Sequence, residues 1–460
     1  MNAEKINLKS YVSSLIVLFL LMIITYVLTF IIPSGEYPRI INEAGNEVID
    51  ISSEFSFVDG NIPFWKWLLS PFLVLTVSGS FTIIAVIILL IVIAGIFSPL
   101  NESNVIKYLI EKIAYKYGDK KYKLIVVLTL VFMLQGSLIG SYEEVVPLVP
   151  IIVALSLMIG FDVLLGIGMS LVATGCGFAV GITNPFTIGV AQELAGLPMF
   201  SGSWFRILSF ILVYALLLLF LITYAKKIEK KDTMANFTFE KNKKLDKASN
   251  AFVIILGIGV LIVLSSAFIK FLQDYTMIIV MLLFLIAGIV SSILSGISFK
   301  DFMKSAGRGI VGIVPAVILI LMASSIKYTL TEAKVLDTIM YYSSNIAKEI
   351  PRFTVILFIY LIALVLEFFI ASGSAKAFLL IPLIVPIASI FNISPQLCIV
   401  AYAFGDGFSN IFYPTNPVLL ITLGLNEVKY SDYIKRFALF AVVNLILTSA
   451  LLIFGLLIGY

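Results

Sequence analysis

Gly140-Ser141-Tyr142-Glu143-Glu144, followed by Pro147 and Pro150 and closed by Thr183-Asn184-Pro185-Phe186-Thr187, is the stretch on which the fold turns. Its pattern returns 232 positions later. Pro150 falls on Pro382, Ile152-Val153 on Ile384-Val385, Gly175 on Gly407, and Thr183-Asn184-Pro185 on Thr415-Asn416-Pro417. The spacing between the proline and the T-N-P triplet is the same in both copies, which is better evidence of a repeat than either triplet alone. Polar, helix-breaking residues inside a repeated apolar segment are the mark of a secondary transporter.

Working outward, the 460-residue chain is 60% hydrophobic and 13% charged, against roughly 25% charged residues in soluble proteins. Many runs reach the roughly 20 apolar residues that a membrane helix needs. There is no His, and Cys176 and Cys398 lie far apart within apolar segments. That excludes a disulfide framework or zinc spacing and argues against a transition-metal site. The first run, 11–32, is too long for a signal-peptide core and is expected to stay as a span.

Lysines set the expected topology. Lys5 and Lys9 precede the first span, and an acidic loop with Glu36, Glu43, Glu47, Asp50, Glu54 and Asp59 follows it. After a second span at about 72–97 come Lys107, Lys112, Lys116, Lys120, Lys121 and Lys123. The positive-inside rule puts the N-terminus and this lysine segment in the cytoplasm and the acidic loop outside. Val105, Ile106, Leu109, Ile110 and Ile113 recur at helical spacing among the lysines. They predict an amphipathic helix, either on the membrane surface or as a cytoplasmic linker.

Two apolar arms of about 16 residues, Leu124–Ile139 and Val145–Gly160, flank the polar tip Gly140–Glu144. Each reaches about 24 Å, short of a roughly 30 Å hydrocarbon core. This predicts a re-entrant hairpin, with two tilted spans as the alternative. The first repeat is read as 1–225, with its hairpin at 123–160 and a broken helix at 161–195. A cytoplasmic linker and connecting span occupy 226–274. The second repeat is 275–460, with its hairpin at 353–392 and a broken helix at 394–425. Spans at about 249–269, 275–297 and 309–330 place an odd number of crossings between the repeats, so the two are expected to be inverted. The count is about nine spans and two hairpins, an all-α polytopic membrane protein.

Each T-N-P triplet should break its helix, because Pro185 and Pro417 lack a donor and disfavour helix before them. Freed carbonyls suit Na⁺ and freed amides suit a carboxylate. Asn184 and Asn416 can serve either, so Na⁺ is expected at these two residues if it is the coupling ion. Thr183, Thr415 and Thr187 add hydroxyls. The plainer alternative is that the prolines only shape helices; two breaks at matched positions, each after a polar hairpin, favour a binding site.

The hairpin tips carry Ser141, Tyr142, Glu143 and Glu144 in the first copy, and Ser372, Gly373, Ser374 and Lys376 in the second. Ionisable groups at membrane depth are costly and usually functional. Asp406 lies between Gly405 and Gly407, where helices can approach closely; the plainer roles are an ion pair between Glu144 and Lys376, or between Glu367 and Lys376. Glu143, Glu144, Glu367 and Asp406 stand against Lys376 alone. That acid excess suits cargo with an amine, coupling to cations, or both. Gly175-Cys176-Gly177 and Gly405-Asp406-Gly407 have no strand before them and suit close helix packing, not nucleotide binding. The lysine runs read as topology determinants rather than nucleic-acid sites.

G-S-Y-E-E-V-V-P-L-V-P (140–150), N-P-F-T-I-G-V-A-Q (184–192) and I-P-S-G-E-Y (32–37) resemble the DcuC/YfcC group of the ion transporter superfamily. That group contains anaerobic C4-dicarboxylate carriers and relatives named as basic amino acid antiporters, and the resemblance spans nearly the whole chain. It implies paired hairpins, inverted repeats, a homodimer and an elevator-type motion of a transport domain against a scaffold. The residues it carries over are Tyr142, Glu143, Glu144, Asn184, Pro185, Thr187, Asn416 and Pro417. The expected function is ion-coupled secondary transport, by symport or antiport, across the bacterial cytoplasmic membrane. The cargo is a small carboxylate-bearing metabolite. An amino acid, of the basic arginine or ornithine type, is favoured over a C4-dicarboxylate, and a Na⁺/H⁺ antiporter is the rival. Na⁺ or H⁺ is the expected coupling ion, with no other cofactor. A membrane-embedded enzyme is not expected, since no metal or nucleophile constellation is present.

Overall fold

Without water to bond to, a backbone in lipid must satisfy itself, and the long apolar runs are accordingly helical. The structure is a computed structural model that describes residues 8–41, 47–49, 54–77, 80–140, 142–198, 200–229, 239–266, 275–349, 351–370 and 373–460. Ser141 and Ser372, one at each hairpin tip, lie outside the described residues, as does much of the lysine-rich linker.

By length and composition, five described helices can cross a membrane: Lys121–Ile139, Val163–Val180, Ser203–Ile228, Phe299–Glu332 and Tyr430–Ile458. Ile87–Glu102 and Val105–Tyr117, bent by 70° at their junction, add a sixth if counted as one span. Leu8–Ile31, Lys243–Ser266 and Thr276–Ser295 are the helices formed by the other long apolar runs. Outward faces are apolar, with Ile16, Leu20 and Ile24 of Leu8–Ile31 and Leu439 and Ile446 of Tyr430–Ile458 all exposed. Exposed apolar surface on this scale is stable only against lipid.

Two expectations change. The chain is not wholly α-helical: Gly35–Glu36 pairs antiparallel with Ser56–Phe57, and Arg39–Ile41 with Glu47–Ile49. The β-branched Ile40, Ile41, Val48 and Ile49 favour extended backbone. Asp337 holds this β-segment down, accepting from the Tyr37 backbone amide at 3.0 Å and pairing with Arg39 at 2.9 Å. The second span also starts later than expected. Short helices Phe64–Leu68 and Ser70–Leu73 come first, and the long helix is Ser80–Glu102.

The amphipathic helix is Val105–Tyr117, and it buries Val105, Ile106, Leu109 and Ile110. These residues face protein, because the helix packs on Val149–Met158 and Lys243–Ser266. Its length and apolar stripe are legible in the sequence; the surface it covers is not.

The first hairpin runs up Lys121–Ile139 and returns through Val149–Met158. The return helix has only ten residues, about 15 Å at the helical rise and about half the hydrocarbon thickness. The outgoing arm, Lys121–Ile139, is by contrast long and apolar enough to cross. The second hairpin uses Arg352–Phe369 and Gly373–Ile390, the latter carrying Pro382 and Pro386 inside the helix.

Like elements meet in like ways. Lys121–Ile139 packs on Ala173–Val180, and Arg352–Phe369 packs on Pro395–Asn410. The two broken helices then pack on each other, through Ala173–Val180 and Pro395–Asn410. Ser203–Ile228 and Tyr430–Ile458 flank this inner bundle and touch one another. A second group joins Leu8–Ile31, Ser80–Glu102, Lys243–Ser266, Thr276–Ser295 and Phe299–Glu332. Where the inner helices cross, backbones come very close. A Cβ on Gly405 would sit 3.0 Å from the Tyr360 carbonyl, and one on Gly407 would sit 2.5 Å from the Ala179 amide. Asp406, between these glycines, is therefore held at a three-helix contact with no exposure.

Candidate functional site

Each T-N-P triplet builds the same device. In the second copy, Asn416 is the N-cap of Pro417–Leu425, and its Oδ1 accepts from the amides of Val418 at 2.9 Å and Leu419 at 3.3 Å. In the first, Asn184 Oδ1 accepts from Phe186 at 2.9 Å and Thr187 at 3.3 Å. Here the restart is a wide turn of π type over Pro185–Gly189 before Val190–Leu194 resumes. Asn as N-cap and Pro at the first helical position are each preferred there for local reasons. The amides expected to face a carboxylate are therefore largely taken by Asn184 and Asn416, and Pro supplies none.

The freed carbonyls also have partners. Around the second break, Tyr142 donates to Asn410 O at 3.2 Å, Tyr433 to Ile411 O at 2.7 Å and Tyr430 to Phe412 O at 2.6 Å. Asn416 Nδ2 donates to Asn410 Oδ1, whose own Nδ2 donates to Asp406 O at 3.0 Å. Around the first break the donor is Arg206, which lies in Ser203–Ile228 with no exposed surface. Its Nε and Nη2 donate to Ile182 O at 3.3 and 3.1 Å, its Nη2 to Phe200 O at 3.2 Å, and its Nη1 to Ser201 O at 3.0 Å. A buried guanidinium at the end of a half-helix meets the negative pole of its dipole as well as bare carbonyls. Sequence reasoning passed over Arg206. The available signal was a single Arg within an apolar run that otherwise ends in lysines.

The hairpin tips cross between the copies. Gly140 turns left-handed, at φ 74°, against the Asn184 side chain. Thr183 is tied to the same arm, its amide donating to Ser137 O at 3.2 Å and its hydroxyl to Leu138 O at 3.0 Å. Two residues past Gly140, Tyr142 reaches Asn410 in the other copy. The second tip does the reverse. A Cβ on Gly373 would lie 2.8 Å from Thr187 Cγ2 and 2.9 Å from Asp406 Oδ2, and Tyr402 donates to the Gly373 carbonyl. Both tips, both breaks and Asp406 thus form one buried polar centre.

Lys376 is its positive pole. It is fully buried, donates to Asp406 Oδ1 at 2.6 Å and pairs with Glu367 on the opposite hairpin arm. Glu144 is not its partner: it is 6% exposed, and its Oε2 lacks a hydrogen bond among the described residues. Glu143 and Glu144 follow Tyr142, whose hydroxyl reaches Asn410 one helical turn beyond Asp406. Asp406 Oδ2 and Thr187 Oγ1 are also buried without a partner among the described residues. Both belong to residues that crowd Gly373. Thr415 is 5% exposed beside Asn416. Ser374 lies in the first turn of Gly373–Ile390. Thr174, by contrast, bonds back to Ser170 O at 2.9 Å within its own helix, as a structural residue would.

A cavity of about 520 Å³ lies apart from this centre, and none of the centre's residues lines it. It lies between the short return arm, at Pro147, Pro150 and Ala154, and the second helix group, at Ser98, Asn101 and Gly309. Its lining reaches Val146, two residues beyond Glu144, and a space of this size holds a small metabolite.

The sequence profile of the family described as "DcuC: C4-dicarboxylate anaerobic carrier" matches residues 12–457. The Escherichia coli (strain K12) protein named "Putative basic amino acid antiporter YfcC" is 28% identical over 416 residues, covering 85% of this chain and 81% of its own. An uncharacterized protein of Haemophilus influenzae is 23% identical over 372 residues, covering 78% and 73%. Among solved structures, the Alcanivorax borkumensis YdaH transporter aligns over 97% of this chain and 99% of its own, at 17% identity and a TM-score of 0.47. Neisseria gonorrhoeae MtrF, from a class described as antimetabolite efflux pumps, aligns over 96% and 94%, at 13% identity and a TM-score of 0.44.

Proposed function

The chain belongs to the DcuC family of membrane carriers, and from that membership we propose that it is an ion-coupled secondary transporter of a small amino acid with a basic side chain. The observation that carries the cargo reading is the buried Lys376–Asp406–Glu367 cluster. Two carboxylates share one ammonium there, and Glu143 and Glu144 stand nearby. A site this rich in acid stabilises a cationic group and repels a second carboxylate. The occupied half-helix amides point the same way: with Asn184 and Asn416 capping them, little bare N–H remains for a dianion.

In this reading the inner bundle carries cargo and the second helix group is the scaffold it slides against. The repeats are inverted, and the return arm of the first hairpin enters from the cytoplasm. The N-terminus is cytoplasmic, the membrane is the bacterial cytoplasmic membrane, and the working unit is a homodimer. Na⁺ or H⁺ supplies the coupling.

The family's description favours a second reading, a C4-dicarboxylate carrier. Lys376 would then bind one cargo carboxylate. Counterflow in proteoliposomes separates the two. Vesicles preloaded with unlabelled arginine, ornithine, succinate or a neutral amino acid receive the labelled counterpart outside in trace amounts. Accumulation of arginine or ornithine, unaffected by succinate, is the expected result. Accumulation with succinate alone would overturn the basic-cargo reading. Imposed Na⁺ and pH gradients then identify the coupling ion, and ion flux with no organic cargo would favour a Na⁺/H⁺ antiporter.

A further inference from the structure

Lys376 ties three elements together. It sits three residues past Gly373 on the return arm of the second hairpin, pairs with Glu367 on the outgoing arm and with Asp406 on the broken helix. All three groups are at most 1% exposed. Water cannot screen them, so each carboxylate needs a positive partner, its own or shared, or else a proton.

The sharing is uneven. Lys376 takes Asp406 Oδ1, while Asp406 Oδ2 lacks a hydrogen bond among the described residues. That oxygen lies on the Gly373 side, as does the Thr187 side chain, whose hydroxyl also lacks a hydrogen bond among the described residues. One carboxylate thus faces two ways, toward an ammonium inside the protein and toward a polar niche at the tip of the second hairpin.

We infer that Lys376 is a built-in counter-cation: it neutralises Asp406 when the carrier is empty and hands Asp406 over to the ammonium or guanidinium of cargo when the carrier is loaded. The inference rests on the basic-cargo reading above. In the loaded state Lys376 keeps Glu367, cargo takes Asp406, and each carboxylate has its own cation. In the empty state Lys376 bridges both. The empty carrier therefore never exposes a bare buried carboxylate to the low-dielectric interior, and it can reset across the membrane without cargo. At a pH where Asp406 stays ionised, a carrier lacking this lysine can cross only when loaded. It becomes an obligatory exchanger.

The consequence separates two assays that a general loss of function would move together. Zero-trans uptake of labelled arginine needs the empty carrier to return; arginine–arginine counterflow does not. Lys376→Met leaves Glu367 bare, so Lys376→Met/Glu367→Gln is the working variant, and size-exclusion profiles and thermal unfolding check that both variants fold. The double variant is expected to lower zero-trans uptake at least tenfold more than it lowers counterflow, a factor of ten being about 1.4 kcal/mol. Its half-saturating arginine concentration in counterflow should fall, because an internal competitor for Asp406 has been removed. Counterflow and zero-trans uptake falling in proportion would overturn the inference and make Lys376 a cargo ligand or a structural tie. Both rates unchanged would overturn it too. If the wild-type protein exchanges succinate and neither arginine nor ornithine, the cargo reading fails first and the inference falls with it.

Discussion

Arg206→Met tests whether the first helix break is held open from outside the hairpin. Methionine keeps most of the bulk of the stem and removes all five guanidinium donors. Ser201 O retains Gln192 Nε2 at 2.9 Å. Ile182 O and Phe200 O lose the donors that Arg206 gives them. An orphaned buried carbonyl costs about 1–3 kcal/mol, so two cost about 2–6 kcal/mol. Removing a buried charge recovers part of this, which puts the expected destabilisation at about 2–3 kcal/mol. Arg206→Lys keeps the charge but lacks the planar fork that reaches Ile182 and Phe200 together, so it should fall between the two. The assay is thermal unfolding of purified protein in one detergent, with arginine counterflow measured in parallel. The expected order of stability is wild type, Lys variant, Met variant, with counterflow lowered in the Met variant because Ile182 adjoins Thr183 and Asn184. A Met variant that melts within about 1 °C of the wild type would refute the reasoning, since a loss of that size must move the midpoint by more.

Asn184→Ala and Asn416→Ala each remove an N-cap, at about 1 kcal/mol; both should remain folded by size exclusion while counterflow is abolished, and normal transport by both would remove these residues from the site. Gly407→Ala puts a Cβ 2.5 Å from the Ala179 amide, and overpacking of this kind costs about 1–3 kcal/mol; a melting temperature equal to the wild type's would show that the two broken helices are not in contact there. At the start of Lys243–Ser266, the hydrogen bond from Lys112 at 2.7 Å holds the Asp246 carboxyl below the usual carboxylate range. A lowered pKa contributes stability that is present above about pH 4 and lost as pH falls through the lower, folded value. Solvent screening keeps this contribution below about 1 kcal/mol. Asp246→Asn should therefore flatten the acid limb of melting temperature against pH and leave neutral pH nearly unchanged; an unaltered acid limb would rule out the pair as its source.

Local chemistry was legible in the chain because it depends on neighbours in sequence. Lipid forces helices on apolar runs, and Pro after Asn forces a break and supplies its cap, so the breaks at 181–184 and 411–416 follow from residues within one turn. Gly-Asp-Gly announced close packing because only glycine admits another backbone at that distance. The short strands in 35–57 were missed because each has only two or three residues and lies within a loop read mainly for its charge.

Partnership was not legible, because it is fixed by which helices cross. Lys376 has Glu367 and Asp406 within reach and Glu144 elsewhere, and no spacing rule ranks those carboxylates. Three tyrosines from two different elements meet the carbonyls at 410–412, and a single arginine meets Ile182, Phe200 and Ser201. A buried polar group must be satisfied by whatever tertiary packing brings near it. The sequence by itself determined where the backbone opens; only the three-dimensional arrangement decided which side chains close around the opening, and so which atoms remain free for cargo.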